Sequence, residues 1–364
     1  MKVALACPTI GQTRRGYERF MAELFQLIRA DIDVTLFKGA GATQPDEVVV
    51  HHVKRTGVLA RLAGRRLRYA SYRLEFASFA LALWPHLRRG NFDIVHIIDP
   101  PLARPLAALR RWVPRPYRLV FTDGGPAPFD ATPFADLVHC LTPAAERETL
   151  AVAPPGCRVT MLPVGVDARA LSAATGRATL RRQHGVSADT FVILAVTTLN
   201  RYHKRVDALI EEVASLPGKV MLWLDASAYP DGDVALLALA RARLGDRFRH
   251  THFESGQVGE LYRLADVMVS ASLHESFGMA LVEAMCCGLP VLAHDSAHFR
   301  WLLGGSRNLI DMQVPGALGA RLAHLANDRD DLHSLASPEH MLARFGWGAL
   351  KPGYCALYRE FLDS

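Results

Sequence analysis

Hydrophobic positions in this chain alternate between short continuous runs and runs with helical spacing. The clearest helical series follows the first apolar run and comprises Tyr17, Phe20, Met21, Leu24, Phe25 and Ile28. Short continuous apolar runs bounded by polar segments are typical of strands buried on both faces of a sheet. The strands predicted in the first half are Val3–Cys7, Val34–Phe37, Ile94–Ile98, Arg118–Thr122, Leu137–Leu141 and Val159–Pro163. Those predicted in the second half are Phe191–Val196, Val220–Leu224, Arg249–Phe253, Val267–Ser270 and Leu289–Ala293. Two successive series of this kind predict two parallel sheets covered by helices, an α/β architecture.

The length and composition agree with two domains. The chain has 364 residues, half of them hydrophobic, which is enough for two substantial cores. The break between the two series lies near Gly165–Asp167, ahead of a segment rich in Ala, Ser and Thr. The six cysteines form no Cys-x-x-Cys pair, so we expect reduced core residues and no disulfide or zinc framework. The N-terminus is too short and too soon broken for a signal peptide, and no run has the length of a membrane-spanning helix.

The most informative stretch is Ser270–Ser296, which carries Glu275 and Glu283 eight positions apart. Ser276 is the expected N-cap of a short apolar helix. A left-handed C-cap is expected at Gly288, where the helix must stop before the following proline.

The two glutamates are too far apart along that helix to act as an acid/base pair on one atom. Their spacing suits a grip on two ends of one elongated ligand. The amides of Phe277, Gly278 and Met279 at the helix start favour an anion there. The competing interpretation is a pair of solvated glutamates, which the apolar surroundings of Glu283 disfavour.

Together with Leu261–Ser270 before it and Gly288–Val291 after it, this block resembles the Glu-x7-Glu motif of retaining GT-B glycosyltransferases, the family 4-like or group 1 glycosyl transferases. The resemblance implies a GT-B fold, with two Rossmann-like domains whose parallel sheets face each other across a cleft. It implies an acceptor-binding domain over residues 1–168 and a nucleotide-sugar-binding domain over 169–345. A final helix over 346–364 would cross back to the first domain.

The resemblance also implies roles for individual residues. Glu283 would hydrogen-bond the donor ribose, while Glu275 and the amides of Phe277, Gly278 and Met279 would orient the donor sugar.

A basic loop follows the strand Phe191–Val196 and suits a diphosphate. Lys204 matches the lysine of the family's Arg…Lys pair. Arg201 stands in for an arginine that does not align, with Arg205 as the alternative. An ordinary exposed basic loop is the competing interpretation.

In the first half, Gly16 matches the second glycine of a Gly-Gly turn that approaches the donor phosphate, whereas Arg15 replaces the first glycine. Arg14 and Arg15 are either acceptor contacts or exposed loop residues. Asp123 stands where many relatives have a histidine that contacts the donor sugar. Its alternative is an Asp-Gly turn, although a carboxylate can still accept a hydrogen bond from a hydroxyl.

A metal site is not expected. His294, Asp295 and His298, even with His96, lack a coherent ligand set. The resemblance implies a metal-independent enzyme with no cofactor besides its nucleotide-sugar donor.

The net charge of +6 is uneven, because residues 1–170 carry an excess of basic side chains and the remainder a slight acidic excess. The excess includes Lys54, Arg55, Arg61, Arg65, Arg66, Arg68 and Arg73, and also Arg110, Arg111, Arg115 and Arg118 around Trp112. These residues form either a solvated helix face or a surface that docks on an anionic membrane or acceptor. Nucleic acid is not expected, since no RNA-binding motif or zinc finger accompanies the charge.

The function implied is the transfer of a sugar, with retention of configuration, from a UDP- or GDP-sugar to an acceptor hydroxyl. We expect a lipid-linked or otherwise anionic acceptor in surface polysaccharide or glycolipid assembly, in the cytoplasm or at the inner face of the membrane. The alternatives are a natural-product glycosyltransferase with a small-molecule acceptor and a non-catalytic nucleotide-sugar-binding protein.

Overall fold

The structure is a computed structural model that describes residues 1–13, 16–54, 68–124, 131–167, 169–172, 174–227, 233–252, 258–305, 307–335 and 337–363. The chain divides into two compact units. The first comprises Met1–Gly165 and Leu350–Ser364, and the second comprises Val166–Ala349. Arg14, Arg15, Arg55, Arg61, Arg65 and Arg66 lie outside the described residues.

The first unit contains one parallel sheet covered by helices. Its described strands are β1 (Lys2–Cys7), β2 (Asp33–Lys38), β3 (Glu47–Val49), β4 (Ile94–Ile97), β5 (Arg118–Asp123), β6 (Leu137–Cys140) and β7 (Arg158–Met161), in the sheet order β3-β2-β1-β4-β5-β6-β7. Its described helices are α1 (Gly16–Ile28), α2 (Arg68–Gly90), α3 (Ala103–Leu109) and α4 (Pro143–Leu150).

The second unit repeats this architecture. Its described strands are β8 (Phe191–Thr198), β9 (Val220–Ser227), β10 (Phe248–Thr251), β11 (Val267–Val269), β12 (Val291–His294) and β13 (Leu309–Ile310), in the order β10-β9-β8-β11-β12-β13. Its described helices are α5 (Arg177–Gln183), α6 (Val206–Ala214), α7 (Ala235–Leu244), α8 (Val258–Leu264), α9 (Met279–Cys286), α10 (Ala297–Leu303), α11 (Ala317–Asn327), α12 (Arg329–His333) and α13 (Pro338–Phe345). The last helix, α14 (Trp347–Asp363), begins in this unit and joins the first from Leu350 onward.

Each predicted strand corresponds to a described strand, although Phe253, the predicted end of one of them, lies outside the described residues, and two described strands were missed. The missed strands, β3 and β13, have three and two residues and lie at sheet edges. Runs this short carry no periodicity that a sequence pattern can detect. The predicted helical series is also confirmed, because Phe20, Met21, Leu24, Phe25 and Ile28 are the buried apolar face of α1.

The strand order gives each unit one switch point, where the crossover connections diverge. In the first sheet, the chain winds outward from β1 on one side and from β4 on the other, so the crossovers diverge at that pair. In the second sheet the corresponding pair is β8 and β11. Loops that leave the carboxyl ends of strands at such a switch point are the usual place for a ligand. Among the described residues, no helix combines the length and the apolar character needed to cross a membrane.

A series of hydrogen bonds between buried side chains ties α14 to the first sheet. His139 Nε2 lies 2.9 Å from the Leu162 carbonyl, which can only accept, so this nitrogen donates. In the neutral ring Nδ1 then accepts from the Thr122 hydroxyl at 2.9 Å. Thr122 in turn accepts from His96 Nε2 at 2.6 Å, and His96 Nδ1 accepts from the Tyr358 hydroxyl at 2.6 Å. The Leu162 carbonyl thus determines which atom carries the proton in each hydrogen bond of this series.

Because of these two buried histidines, we expect the free energy of unfolding to fall as the pH drops below about 6.5. Burial lowers the pKa of His139 to about 4, and the pKa of His96 is also well below its usual value because of burial. The unfolded chain binds these protons first, so stability is fully present above about pH 6.5 and is lost as pH falls toward 4. Urea unfolding should show a loss of about 2 kcal/mol from His139 alone between about pH 7.5 and pH 5.

The His139→Gln variant should be less stable near neutrality but should lose less on acidification. His51→Gln, which changes an exposed histidine, should retain the wild-type profile. A wild-type stability that is constant between about pH 7.5 and pH 5 would contradict the buried neutral pair.

Candidate functional site

Two loops meet at the switch point of the second unit. Lys204 follows β8 and Glu275 follows β11, which pairs directly with β8. Lys204 Nζ lies 2.6 Å and 2.7 Å from the two carboxylate oxygens of Glu275. Both side chains are mostly shielded from solvent, at 20% and 13% exposure. The structure therefore joins two residues that the sequence analysis assigned to one donor site.

The Lys204 loop is held by its neighbours. The Asn200 side chain accepts a hydrogen bond from the amide of His203 at 2.6 Å, and its carbonyl accepts one from Val206. Arg205 has a left-handed backbone with φ 49°, which is uncommon for a residue with a side chain, and forms the N-cap of α6. Its guanidinium donates to the Met312 carbonyl at 2.7 Å. These contacts fix the turn from which Lys204 extends.

An aromatic cluster supports the Glu275 loop. The buried ring of Phe277 packs edge-on against Trp301 and Phe345. Arg344 lies over both of those rings and donates to the Trp301 carbonyl. His298 Nε2 donates to the Phe277 carbonyl at 3.1 Å, and burial lowers the pKa of this histidine. Phe277 thus anchors the loop through its ring as well as presenting its amide.

The helix after Glu275 begins differently from the prediction. Ser276 is exposed and is not the N-cap; Gly278 takes that position, with φ 96° and no side-chain cap. The left-handed backbone at Gly278 favours glycine, and a Cβ atom there would lie 3.0 Å from Leu302 Cδ2, so this side chain would have to move. The first bonds of this helix run from the Leu281 and Val282 amides to the Gly278 carbonyl, and the amides of Met279 and Ala280 precede them.

The predicted C-terminal end of α9 is confirmed. Gly288 has φ 78°, its amide donates to Met285, and the Leu289 amide donates to Ala284. This is the paired bonding of a Schellman motif.

Glu283 is buried in the second turn of α9, at 4% exposure, which rules out the solvated interpretation. Its Oε2 accepts a hydrogen bond from the Tyr262 hydroxyl at 2.8 Å. Tyr262 lies on α8 and is itself 2% exposed. The sequence analysis included Tyr262 only as part of a motif and gave it no role.

The arginines of the basic loop are engaged elsewhere. Arg201 Nε lies 2.5 Å from Asp233 Oδ2, and its guanidinium is 4.0 Å from Asp207. The bond to Asp233 raises the pKa of Arg201. Arg205 is held by Met312. Lys204 is thus the basic residue of this loop that contacts Glu275.

The remaining predicted residues belong to the first unit. Asp123 is the last residue of β5 and is buried. Gly16 is the first residue of α1. The next residue, Tyr17, donates its hydroxyl to the carbonyl of Gly124, which joins the start of α1 to the end of β5.

The carboxyl edge of the first sheet holds further buried polar groups that the sequence analysis missed. Asp99 follows β4 and accepts from the Cys7 thiol, whose pKa is raised by burial and by that carboxylate. Glu18 on α1 accepts from Thr13 at 2.7 Å. In the sequence, Asp99 is visible only as a single carboxylate after an apolar run. Such a pattern also occurs at ordinary turns, so it does not identify a ligand site.

The histidines considered for a metal have structural partners. His294 Nδ1 accepts from the Met312 amide, and Asp295 pairs with Arg300. The described part of the chain contains no group of three His, Cys, Asp or Glu side chains that could hold a metal ion.

Solved structures identify the fold. Sucrose-phosphate synthase from Thermosynechococcus elongatus aligns with a TM-score of 0.82 at 18% identity, covering 100% of this chain and 99% of that one. HepE of Anabaena, solved in complex with UDP and glucose, aligns with a TM-score of 0.79 at 19% identity, covering 99% of both chains. The chain has the GT-B fold. The expected two Rossmann-like α/β domains with parallel sheets are therefore confirmed.

Sequence comparisons place this GT-B chain beside glycosyltransferases. Residues 176–337, inside the second unit, match the family model described as Glycosyl transferases group 1. D-inositol 3-phosphate glycosyltransferase of Thermobispora bispora is 31% identical over 242 residues, which are 62% of this chain and 56% of that protein. The enzyme of that name from Xylanimonas cellulosilytica is 33% identical over 216 residues, 56% of this chain and 51% of that protein. The chain spans about half the length of the curated relatives it matches.

The two glycines of the α9 segment give a stability prediction. Gly288→Ala should lower the free energy of unfolding by about 1 kcal/mol, because it places a side chain in left-handed backbone. No atom lies within 4 Å of the new Cβ, so no steric contact adds to this strain. Gly278→Ala should cost at least about 2 kcal/mol, because the contact with Leu302 adds to a similar strain. Urea unfolding of both variants measures the difference. If the two variants lose the same free energy of unfolding, Leu302 moves aside without an energetic cost.

Proposed function

We propose that this protein is a retaining glycosyltransferase that moves a sugar from a nucleotide diphosphate sugar to an acceptor hydroxyl. The observation that carries the proposal is the Lys204–Glu275 pair, at the switch point of a unit that matches the group 1 glycosyl transferases. The buried carboxylate of Glu283 and the start of α9 adjoin the same loop in sequence.

The pair suits a ligand with a phosphate beside hydroxyls. An ammonium group has three N–H donors, and Glu275 accepts two contacts, so Lys204 can still donate to a phosphate oxygen. Glu275 accepts hydrogen bonds and so is suited to the sugar hydroxyls. The start of α9, at Gly278 and Met279, favours the negative charge that develops on the leaving diphosphate.

The reaction proposed needs no nucleophile from the protein. The acceptor oxygen bonds to the anomeric carbon on the face from which the phosphate oxygen departs. The carbon–oxygen bond to the diphosphate breaks, and the proton of the acceptor hydroxyl passes to the leaving phosphate. Glu275 is already paired with Lys204, which suits it to orientation more than to attack. We propose that the reaction is independent of metal ions.

In the first unit, we assign hydroxyl binding to Asp123, since an ionised carboxylate accepts hydrogen bonds. Gly16 opens α1 without a side chain and would let the backbone approach a phosphate. Arg205 and Arg201 remain candidate phosphate contacts. Arg201 would first have to leave Asp233, a partly exposed pair of the kind that contributes little to stability.

UDP is the nucleotide supported most directly. HepE, a neighbour at 20% identity, was solved in complex with UDP-glucose. A UDP-sugar donor is therefore proposed first and a GDP-sugar second. The acceptor is proposed to be a lipid-linked or other anionic molecule of surface polysaccharide or glycolipid assembly, at the cytoplasmic face of a membrane.

The basic side chains around Trp112 give partial support for membrane contact. Trp112 is 67% exposed, next to Arg111. Arg110 and Arg115, however, are paired with Asp136 and Asp93, which reduces the charge available to anionic lipid. A small-molecule acceptor in solution is therefore the alternative substrate.

A non-catalytic nucleotide-sugar-binding protein is the second candidate function. The observation that favours it is the engagement of Arg201 by Asp233, which leaves the basic loop with less free charge for a leaving diphosphate. A protein of this kind would bind the donor without releasing the nucleoside diphosphate.

The variants Lys204→Ala and Glu275→Ala test the proposed site. Each should lower kcat/KM for sugar transfer by about 10²–10³-fold, because Lys204→Ala removes a group that stabilises the leaving charge and Glu275→Ala removes one that orients the sugar. Transfer is followed by release of nucleoside diphosphate from UDP- and GDP-sugars, with NMR of the product to assign the anomer. Retention of configuration is expected.

Lys219→Ala is the matched control, because Lys219 forms an exposed pair with Asp189 in the same unit. Its activity should stay within about twofold of wild type. Wild-type rates in Lys204→Ala, or an inverted product, would contradict the proposal. Donor binding without turnover would favour the non-catalytic alternative.

A further inference from the structure

We infer that Tyr262 is a positioning residue for donor binding, acting through Glu283. The Tyr262 hydroxyl donates to Glu283 Oε2 at 2.8 Å, and both side chains are buried. The inference rests on the proposed role of Glu283 as the carboxylate that accepts hydrogen bonds from the donor ribose.

The surroundings of Glu283 explain why a hydrogen-bond donor from the protein is needed there. The residues on either side of it in α9, Val282 and Ala284, are buried and apolar. A carboxylate in such surroundings is costly unless hydrogen-bond donors reach it. A phenol that donates to one carboxylate oxygen selects one orientation of a flexible side chain. The other oxygen of Glu283 is then oriented without the ligand having to order it.

Tyr262 can do this because its helix is fixed at its end. Asp266, just after α8, lies 2.7 Å from both Arg177 and Arg181. Arg177 also donates to the Ala265 carbonyl, and Arg181 donates to the Leu264 carbonyl. These bonds hold the last turn of the helix that carries Tyr262.

The position of Tyr262 in the chain links it to the rest of the site. The segment runs from α8 through β11 to the Glu275 loop and then to α9. Tyr262 and Glu283 therefore close a contact between the helix before β11 and the helix after it. A shift of either helix would turn the carboxylate, so the contact preorganises the site before the donor arrives.

The test is Tyr262→Phe, which removes the hydroxyl and keeps the ring. Calorimetry with UDP should show a dissociation constant about tenfold higher than that of the wild type. With UDP-glucose as donor, KM should rise while kcat at saturation stays within about twofold, because the lost interaction is the same in the ground and transition states.

Tyr117→Phe is the matched control. Tyr117 is also 2% exposed, and its hydroxyl donates to the Leu106 carbonyl at 2.7 Å in the first unit. It should lose comparable stability and keep the wild-type affinity for UDP. Equal loss of affinity in both variants would show that Tyr262 acts only through stability and would overturn the inference.

Glu283→Gln separates the inference from the proposed function. If Glu283→Gln binds UDP as the wild type does, the role of Glu283 fails and the inference fails with it. Two outcomes would overturn only the inference, provided that Glu283→Gln binds UDP weakly. In the first, Tyr262→Phe binds UDP as the wild type does; in the second, it loses kcat and keeps its affinity. The double variant should bind no more weakly than Glu283→Gln alone. Should Tyr262→Phe not fold, a crystal structure of the wild type with UDP tests the inference: the Tyr262 hydroxyl should stay on Glu283 Oε2 while the other carboxylate oxygen contacts the ribose, and a Tyr262 hydroxyl turned away from Glu283 in the complex would overturn it.

Discussion

Parallel pairing of the strands is the constraint on which the rest of this structure depends. Every described strand pair in both sheets is parallel, so all carboxyl ends in a sheet lie along one edge. Helices cover the faces, which leaves that edge as the place where polar loops can gather. At the junction of β8 and β11 the crossovers diverge, and this is where Lys204 meets Glu275. The ion pair is thus a consequence of topology, since the two residues are 71 positions apart in the chain.

Several buried polar side chains in each unit are held by specific partners. His96 and His139 stay neutral because burial opposes their charge, and their bonds join α14 to the first sheet. Glu283 receives the Tyr262 hydroxyl. An unmet polar group at such depth would cost more than the bond itself contributes. A buried side chain such as Tyr262 can therefore also determine the orientation of Glu283, the carboxylate proposed to bind the donor.

The sequence predicts the interior of each sheet better than its edges. Strands such as β1, β5 and β8 are continuous apolar runs because both of their faces are covered, and each run is visible without knowledge of the fold. The edge strands β3 and β13 are too short to produce such a pattern. The Gly288 stop was predictable because left-handed backbone favours glycine. The start at Gly278 was not, because the preceding serine is an equally ordinary N-cap and the choice rests on the left-handed backbone that Gly278 adopts. The pairing of Arg201 with Asp233 was not predictable either, because it depends on a residue that is distant in the sequence.

The most direct measurement is a crystal structure of the protein with UDP bound. In that complex a phosphate oxygen should lie within hydrogen-bond distance of Lys204 Nζ, the diphosphate at the start of α9, and the ribose hydroxyls on Glu283. The Tyr262–Glu283 contact should be retained in the complex. A nucleotide bound away from the junction of β8 and β11, with the Lys204–Glu275 pair untouched, would contradict the central claim.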